Sequence, residues 1–308
     1  METIKCPICM IDNAELLWMA KDYTYFIPGE FPLVRCRECG LVYLRTRPSP
    51  EEINNYYPNE YLPYRKPIQE EKNPLMRWAR ERNIKKRVQT IKSTMQNIKG
   101  NILDIGCSTG IFLNAIQKEG WIVKGIDINP SVAQFAHDYF GIDVFIGELS
   151  EAGYPSEFFD AITLWDTWEH TFNPVDTIKE IRNILKDNGL IYITLPNWES
   201  LDRRIFGKFW VGFDTPRHLF AFPTRVLERI LFDAGFKIIT KKCGLGGYYT
   251  FLASLNPWLF QKISNGRLRK GILSILYFPG VRFLFQPIFT LLDLLGIGGT
   301  IILIIKKL

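Results

Sequence analysis

The sequence predicts an α/β protein with a Rossmann-like, seven-stranded sheet, a small cysteine-containing module at the amino terminus and a hydrophobic helical insertion before the last strand. Three observations lead to this prediction. From residue 100 onward, short apolar runs alternate with helical patterns, which is typical of a parallel sheet covered by helices. Two CxxC pairs stand near the amino terminus, and a strongly apolar segment separates the last two predicted strands.

The composition is that of a globular protein in a reducing compartment. Of the 308 residues, 47% are hydrophobic, and the formal net charge of +6 allows an anionic partner without requiring nucleic acid. The first residues contain no long apolar stretch, so we predict no secretory signal. Six cysteines arranged around two CxxC pairs favour metal binding over disulfides, and we expect a cytoplasmic protein.

Residues 1–45 form the predicted amino-terminal module. Cys6 and Cys9 make one CxxC pair, and Cys36 and Cys39 make the other, which Gly40 follows in a turn that favours positive φ. Two such turns can complete a tetrahedral four-thiolate zinc site of the zinc-ribbon type, and a closed site of this kind is structural. The alternatives are four unrelated thiols or a redox pair. We expect the small module to need its metal to fold.

Residues 46–99 are predicted to be a connecting region. Its first part is rich in proline and tyrosine, which indicates a linker or lid whose tyrosines either pack or line a substrate pocket. Its second part, from Arg77 to Lys99, has the pattern of a basic amphipathic helix. The basic face is either simply solvated or meets anionic lipid or a phosphorylated substrate.

Residues 100–308 make up the predicted central domain. Each apolar run is followed by a helical pattern until the sixth strand, and the insertion at 245–297 then precedes a final strand. The predicted strands are Asn101–Gly106, Trp121–Ile128, Ile142–Ile146, Ala161–Asp166, Leu190–Leu195, Phe236–Lys242 and Thr300–Ile305.

The first predicted strand ends in a glycine turn that contains an acid. Asp104, Gly106 and Gly110 form a DxGxxxG pattern, and Asp127 ends the second strand, where an acid can bind ribose hydroxyls. A dinucleotide site would instead have GxGxxG, because its turn must accept a pyrophosphate. An acid in the turn repels phosphate but attracts an amino group. The pattern therefore favours S-adenosylmethionine, which carries an ammonium and a sulfonium and has no phosphate, over NAD.

These motifs resemble those of class I S-adenosylmethionine-dependent methyltransferases. Residues 103–110 (LDIGCSTG) are similar to the first motif of that family, 125–127 (GID) to the second, and 159–166 with Glu169-His170 to the fourth-strand motif. Residues 185–190 and 196–197 resemble the flanks of the fifth strand. The family usually has Gly at the position of Ser108. The cysteine module and Asp214–Phe220 (DTPRHLF) resemble the branch that acts on sugars and secondary metabolites, so a sugar or lipid-linked glycan is an expected acceptor.

The resemblance implies specific roles for residues at the strand ends. Asp104, Gly106 and Gly110 would shape the methionine end of the donor pocket, and Asp127 would hold the ribose. Glu148 would lie near the adenine. The remaining residues assigned to the donor site are Cys107, Ile128, Trp165 and Asp166.

Two of the three histidines are candidates for handling a proton of the acceptor. His218 is the first candidate for a base because its loop is expected to face the substrate, and His170 follows the fourth strand. His137 is predicted to be a surface residue.

The predicted function is O- or C-methylation of a small molecule, sugar or lipid-linked glycan. One alternative is a methyltransferase that modifies nucleic acid, although we expect nucleic acid to be an unlikely partner. The other alternative is a non-catalytic module that binds the donor. The oligomeric state is left open.

The hydrophobic insertion suggests contact with a membrane surface. Pro279 and Pro287 interrupt its apolar run, and Arg282 and Asp293 lie within the run or at its edge, which argues against a spanning helix. Arg267, Arg269 and Lys270 precede the run, as an interfacial cluster would. If the strands on either side of the insertion share one sheet, the segment must also return to the side that it left. We expect 256–295 to lie in the membrane surface or to form a shallow re-entrant hairpin, with a soluble helical cap over the active site or a dimer interface as alternatives.

Overall fold

The structure, a computed structural model, describes residues 1–58, 71, 74–244 and 247–308. Most of the tyrosine-rich link, at 59–70, lies outside the described residues, so the prediction that it forms a linker or lid remains a prediction. The strands are β1 (Glu2–Thr3), β2 (Ala14–Ala20), β3 (Phe31–Cys36), β4 (Val42–Leu44), β5 (Thr46–Arg47), β6 (Asn101–Ile105), β7 (Ile122–Asp127), β8 (Val144–Ile146), β9 (Phe159–Trp165), β10 (Leu185–Pro196), β11 (Phe220–Ala221), β12 (Phe236–Cys243) and β13 (Thr300–Lys307). The helices are α1 (Pro74–Thr94), α2 (Ile111–Gln117), α3 (Pro130–Phe140), α4 (Pro174–Ile184), α5 (Leu201–Phe206), α6 (Thr224–Asp233), α7 (Gly247–Lys262), α8 (Gly266–Leu276) and α9 (Pro279–Leu294).

A seven-stranded sheet forms the centre of the protein, in the order β12-β13-β10-β9-β6-β7-β8. This confirms the predicted α/β class and the number of strands. The strands from β6 to β10 run parallel, while β13 pairs antiparallel with both β10 and β12. The pairing of β12 with β13 also confirms that the two strands around the insertion share one sheet.

The sheet has a hydrophobic core on each face, because alternate side chains of a strand point to opposite sides. On β10, Ile191 and Ile193 belong to the core that α4 and α6 cover, whereas Tyr192 belongs to the core covered by α1 and α2. The start of β10 differs from the prediction. Leu185 already pairs with Phe159, and a bulge separates this pair from the regular pairing that resumes at Leu190. The polar residues between these two pairs have the composition of a turn, so the sequence did not predict that β10 begins as early as Leu185.

Helix α1 is buried along only part of its predicted apolar face. Val88 and Ile91 lie in the core against the sheet, as does Met95 just beyond the helix. Trp78 and Ile98, two other apolar residues that recur at helical spacing in this stretch of the sequence, are exposed. Among the described side chains of α1, those buried in the core lie toward the carboxyl end of the helix, which packs against α2.

The amino-terminal strands are joined to the central domain by a second sheet. It has the order β11-β4-β3-β2, so its edge strand β11 comes from the segment between α5 and α6. Cys6 and Cys36 are buried in the same core cluster as Val226 of α6. The cysteine-containing strands thus pack directly on the domain that carries the central sheet.

Three helices, α7, α8 and α9, occupy the insertion between β12 and β13. Helix α7 packs against α5 and the following turn, and α8 and α9 pack against α7. Helix α9 also packs against β12 and buries Phe289. The outer faces of the two helices are uncovered: none of the described side chains of α8 is buried, and Phe283, Leu284 and Leu294 are all more than 70% exposed. Among the described residues, no helix has the length and apolar character needed to span a bilayer.

Candidate active site and metal centre

The glycine turn after β6 has the backbone conformation that its sequence predicts. Gly106 and Gly110 have φ values of 72° and 70°, and Ser108 between them has 49°. A Cβ atom at Gly106 would lie 2.5 Å from Thr167 Oγ1, and one at Gly110 would lie 2.9 Å from the Cβ of Ala136. Both the left-handed conformation and the close packing therefore require glycine at these two positions.

Asp127 at the end of β7 holds this turn in place. Its two carboxylate oxygens accept backbone hydrogen bonds, at 2.8 Å from the Ser108 N–H and at 2.9 Å from the Asn129 N–H. The side chain is buried, and burial raises the pKa of Asp127. The two acids that the motifs singled out are thus brought to the same edge of the sheet, at the carboxyl ends of neighbouring parallel strands.

Asp104 is a buried carboxyl group in a largely apolar setting. Thr163 Oγ1 donates a hydrogen bond to Asp104 Oδ1 at 2.5 Å. Burial raises the pKa of Asp104 to about 7, although the Thr163 hydrogen bond and the positive charge of Arg87 act in the opposite direction. The carboxylate is therefore poised to ionise fully when a positively charged ligand arrives.

Arg87 is a site residue that sequence reasoning missed. It lies on α1 with its guanidinium 4.7 Å from the ring centroid of Trp165, and its Nη2 is 3.3 Å from Asp166 Oδ2. Its Nε and the Nε1 of Trp165 are buried without a hydrogen-bond partner within the described part of the chain. The only sequence signal is its place beside Val88, on the part of α1 that faces the sheet.

The other predicted donor-site residues have different surroundings. The Cys107 side chain packs into the core, its backbone N–H donates to the Ile126 carbonyl and its carbonyl accepts from Gly110, so it shapes the turn through its backbone. Ile128 is exposed. Glu148 begins a short 3₁₀ turn and forms a reciprocal capping box with Glu151, and burial raises the pKa of Glu148.

A cavity of about 260 Å³ lies between the carboxyl ends of β9 and β10, where Asp166 and Pro196 line it, and the amino-terminal end of α7, where Thr250 lines it. Arg87 and Asp166 line it on the side of the glycine turn, and His218 and Glu169 line it on the other side. Its remaining lining residues are Asn83, Pro196, Trp210, Val211, Gly212, Thr250, Gly299 and Thr300. The structure therefore places residues from the predicted donor and acceptor sides in one cavity.

The two predicted proton-handling histidines lie against each other, with ring centroids 4.6 Å apart. His218 Nδ1 is 2.9 Å from the Gly212 carbonyl, and His170 Nδ1 is 3.0 Å from the Arg217 carbonyl. Because a carbonyl can only accept, both rings donate from Nδ1, which leaves each Nε2 with a lone pair when the ring is neutral. Burial lowers the pKa of both histidines, that of His170 to about 3. His137 is exposed, as predicted, away from this pair.

Glu169 completes this cluster. It is 1% exposed, and neither of its carboxylate oxygens has a hydrogen-bond partner among the residues described. Its Oε1 lies 4.0 Å from His218 Nε2. Burial raises the pKa of Glu169 well above its usual value, because no hydrogen-bond donor among the described residues compensates the buried carboxylate. Ligand atoms of Glu169, His170 and His218 all lie within 4.8 Å of one another, a spacing from which they could hold a cation.

The four cysteines of the CxxC pairs converge at one point. Their sulfur atoms all lie within 4.8 Å of one another, and Cys6 Sγ is 3.5 Å from Cys39 Sγ. A tetrahedral zinc with bonds of about 2.3 Å requires sulfur–sulfur distances of about 3.8 Å, so the donor set fits this metal. In each turn the backbone N–H that follows the second cysteine bonds back to the first, from Met10 to Cys6 and from Gly40 to Cys36. Gly40 has the predicted positive φ, at 83°.

Known proteins share the central domain. The family model described as a methyltransferase domain matches residues 76–241, more than half of the chain. The ubiquinone biosynthesis O-methyltransferase of Histophilus somni (strain 2336) is 32% identical over 106 residues, which are 31% of this chain and 44% of that protein. The protein of the same name from Pasteurella multocida (strain Pm70) is 32% identical over 112 residues, 31% of this chain and 46% of that protein. The chain thus spans less than half the length of these curated relatives.

A solved structure also has this fold. The crystal structure of a putative sarcosine dimethylglycine methyltransferase from Galdieria sulphuraria superimposes with a TM-score of 0.52 at 14% identity, covering 79% of this chain and 91% of that one. At this identity the likeness supports the fold alone. The family match, together with the glycine turn and the acid at the end of β7, establishes that the chain belongs to the methyltransferase domain family, within the class I S-adenosylmethionine-dependent methyltransferases that its motifs resemble.

Proposed function

We propose that the protein transfers a methyl group from S-adenosylmethionine to a hydroxyl oxygen of a small acceptor molecule. One observation carries this proposal: Arg87 and Asp166, beside the glycine turn, line the same cavity as His218. A donor bound at the turn and an acceptor bound near the histidines would meet there. The choice of oxygen as the acceptor atom rests on the relatives that are named O-methyltransferases.

The donor would bind across the carboxyl ends of β6, β7 and β9. In the proposed arrangement Asp104 attracts the ammonium of the methionine part, Asp127 accepts from the ribose hydroxyls and Glu148 lies toward the adenine. Arg87 would pair with the donor carboxylate, because its side chain is half-buried and its Nε has no hydrogen-bond partner among the described residues. Asp166 and the ring of Trp165 would lie beside the sulfonium, where negative charge and a π face both stabilise a cation.

The acceptor hydroxyl would lose its proton to a histidine as the methyl carbon is attacked. His218 is the proposed base, because it lines the cavity and its Nδ1–H is already committed to Gly212, which leaves Nε2 free to take a proton. Burial lowers the pKa of His218, which favours the neutral ring that can accept a proton. His170, whose ring contacts that of His218, would hold it in place. The protein otherwise contributes mainly orientation and the exclusion of water.

The exposed apolar helices favour an acceptor at a membrane surface. In α8 and α9 the large side chains Ile275, Phe283 and Leu284 face solvent, and Arg267 and Arg269 stand at the start of α8. Apolar surface supplies insertion energy, and basic residues attract anionic lipid. We therefore propose peripheral contact through 256–295 and an acceptor such as a sugar or lipid-linked glycan, in keeping with the branch that the sequence resembles. A cytoplasmic location belongs to the same proposal.

The four-cysteine centre is proposed to hold a structural zinc. All four ligand positions would be filled by thiolates, so the metal would have no open position for substrate. Two of the cysteines are buried against α6, which indicates that the metal would stabilise the packing of β2 and β3 on the central domain.

Labelled donor and a membrane lipid extract provide the test. We expect the purified protein to transfer label from S-adenosyl-[methyl-¹⁴C]methionine to the extract. His218→Gln should lower the rate about 10²- to 10⁴-fold, the usual contribution of general base catalysis, without changing donor affinity. His137→Gln, at the exposed histidine, is the matched control and should retain the full rate. Transfer that is equally fast in both variants would exclude His218 as the base.

A further inference from the structure

A buried ion-pair network joins the amino-terminal strands to the loop that carries His218. Arg217 and Asp22, which are 195 residues apart, pair through two hydrogen bonds of 2.9 and 3.0 Å, and both side chains are fully buried. Arg217 also donates two bonds to Asp214, at 2.6 and 2.7 Å, and one to the Tyr56 carbonyl at 2.8 Å. Its guanidinium lies 4.7 Å from the ring centroid of Tyr25. All three guanidinium nitrogens of Arg217 thus donate hydrogen bonds within the protein.

The backbone held by this network orients both histidines. The Arg217 carbonyl accepts the Nδ1–H of His170. The backbone N–H of His218 donates to the Asp214 carbonyl at 2.9 Å, and the N–H of Leu219 donates to the Glu169 carbonyl at 2.8 Å. A shift of Arg217 would therefore move the carbonyl that fixes the tautomer of His170. The His170 ring would then move away from the ring of His218, against which it packs.

Asp22 reaches this position because it lies in the loop of the β2–β3 hairpin. The loop is ordered locally, since Asp22 Oδ1 accepts from the backbone N–H groups of Thr24 and Tyr25 at 2.9 and 2.8 Å. Thr24 Oγ1 donates to Asp214 Oδ1 at 2.7 Å, and the Tyr23 ring lies 4.9 Å from that of Phe209. At the opposite end of the hairpin Ala14 pairs with Cys36. The seven residues of β2 separate the two ends by about 20 Å.

We propose that Asp22 is a positioning residue of the active site, which the amino-terminal hairpin contributes by anchoring Arg217 and, through it, His170 and His218. The hairpin is then part of the catalytic apparatus as well as a carrier of the cysteine centre. This inference rests on the proposed function only for its consequence in turnover. Its structural core, that Asp22 fixes the two imidazole rings, holds whatever the acceptor is.

Histidine NMR of the full-length protein tests this directly. Only three histidines are present, and the exposed His137 serves as an internal reference. In long-range ¹H–¹⁵N spectra we expect His170 and His218 to show the neutral Nδ1–H tautomer. In Asp22→Asn their signals should shift and lose the single-tautomer pattern, while the His137 signal stays in place. Glu30→Gln, which breaks the exposed Lys21–Glu30 pair of the same loop, is the matched control and should leave all three unchanged.

Turnover of labelled donor with the membrane lipid extract gives the second readout. We expect kcat of Asp22→Asn to fall about 100-fold, the loss typical of misplacing a reacting group by about 1 Å, with donor affinity by calorimetry kept within about twofold. If Asp22→Asn does not fold, Thr24→Val removes only the contact with Asp214 and should produce a smaller change of the same kind. Unchanged His170 and His218 signals in a folded variant would overturn the proposal. Absence of transfer in the wild type would instead count against the proposed function, and the spectra would still decide the role of Asp22.

Discussion

Replacing Asp104 by Asn should stabilise the fold and weaken donor binding at the same time. The carboxyl group is buried, and its pKa is raised from 3.8 to about 7, chiefly by burial. The side chain of Asn can still accept the hydrogen bond from Thr163, so the substitution keeps the local geometry. It removes the negative charge of the carboxylate. That buried charge destabilises the protein without ligand and is compensated only when a cationic ligand is bound.

The size and sign of the effect follow from the change in pKa. An acid whose pKa is higher in the folded state holds its proton more tightly there, so stability falls as pH rises from about 4 to about 7. A difference of about 3 pKa units corresponds to about 4 kcal/mol of unfolding free energy, lost in full above pH 7. Asp104→Asn should therefore be more stable than the wild type by up to about 4 kcal/mol near pH 8. The two proteins should be equally stable near pH 4.

Urea unfolding at a series of pH values measures this difference, and calorimetry measures the affinity for S-adenosylmethionine. The matched control is Asp160→Asn, which removes a carboxylate that pairs with Lys186 at the opposite end of the sheet. Unlike Asp104→Asn, this control should not become more stable relative to the wild type as the pH rises. If Asp104→Asn shows the same pH dependence as the wild type, or unfolds more easily near pH 8, then burial does not control the ionisation of Asp104. If its donor affinity is unchanged, the carboxylate does not meet the ammonium.

Three further outcomes are expected. Asp127→Ala should weaken donor binding by about 1–3 kcal/mol in calorimetry, because it removes charge-assisted hydrogen bonds to ribose and releases the Ser108 turn; unchanged affinity would contradict the assignment. The purified, reduced protein should contain one zinc per chain by elemental analysis, and changing Cys36 and Cys39 to Ser should abolish it. Phe283→Glu should reduce flotation with anionic vesicles, whereas Phe232→Glu, at an equally exposed phenylalanine on α6, should not; equal flotation of both would exclude insertion through α9.

The parts of the fold that the sequence predicted well are those with a local signal. The apolar strands of the central sheet alternate with helices at regular spacing, and the glycine turn after β6 and the acid at the end of β7 come together at one edge of the sheet, the edge at which we propose the donor binds. The same holds for the cysteine pairs, since a CxxC turn is a short-range feature. Trp78 is an instructive failure, because it is one of the apolar residues that recur at helical spacing in this stretch, while the described side chains of α1 that are buried in the core lie toward the carboxyl end of the helix.

The features that were missed depend on partners far along the chain. Arg87 belongs to the proposed donor site only because α1 packs across the end of β9, which brings it to Trp165 and Asp166. Glu169 was noticed within a motif, but its isolation from any hydrogen-bond donor appears only once the surrounding elements are in place. Asp22 carries no signal at all in the sequence, since nothing in its neighbourhood indicates a buried arginine nearly two hundred residues later.

The pairing of β11 with β4 has a consequence for how the chain is made. Strands β2, β3 and β4 end by Leu44, yet the fourth strand of their sheet consists of Phe220 and Ala221. At synthesis rates of 5–20 residues per second, roughly 10–35 s pass between the synthesis of β4 and the synthesis of β11. During that interval β4 presents an open edge on the ribosome, and its unpaired backbone groups are available to other strands. Early capture of the proposed zinc by the cysteines would hold the β2–β3 hairpin closed through this delay, so on this proposal zinc supplied during translation should raise the yield of native protein more than zinc added afterwards.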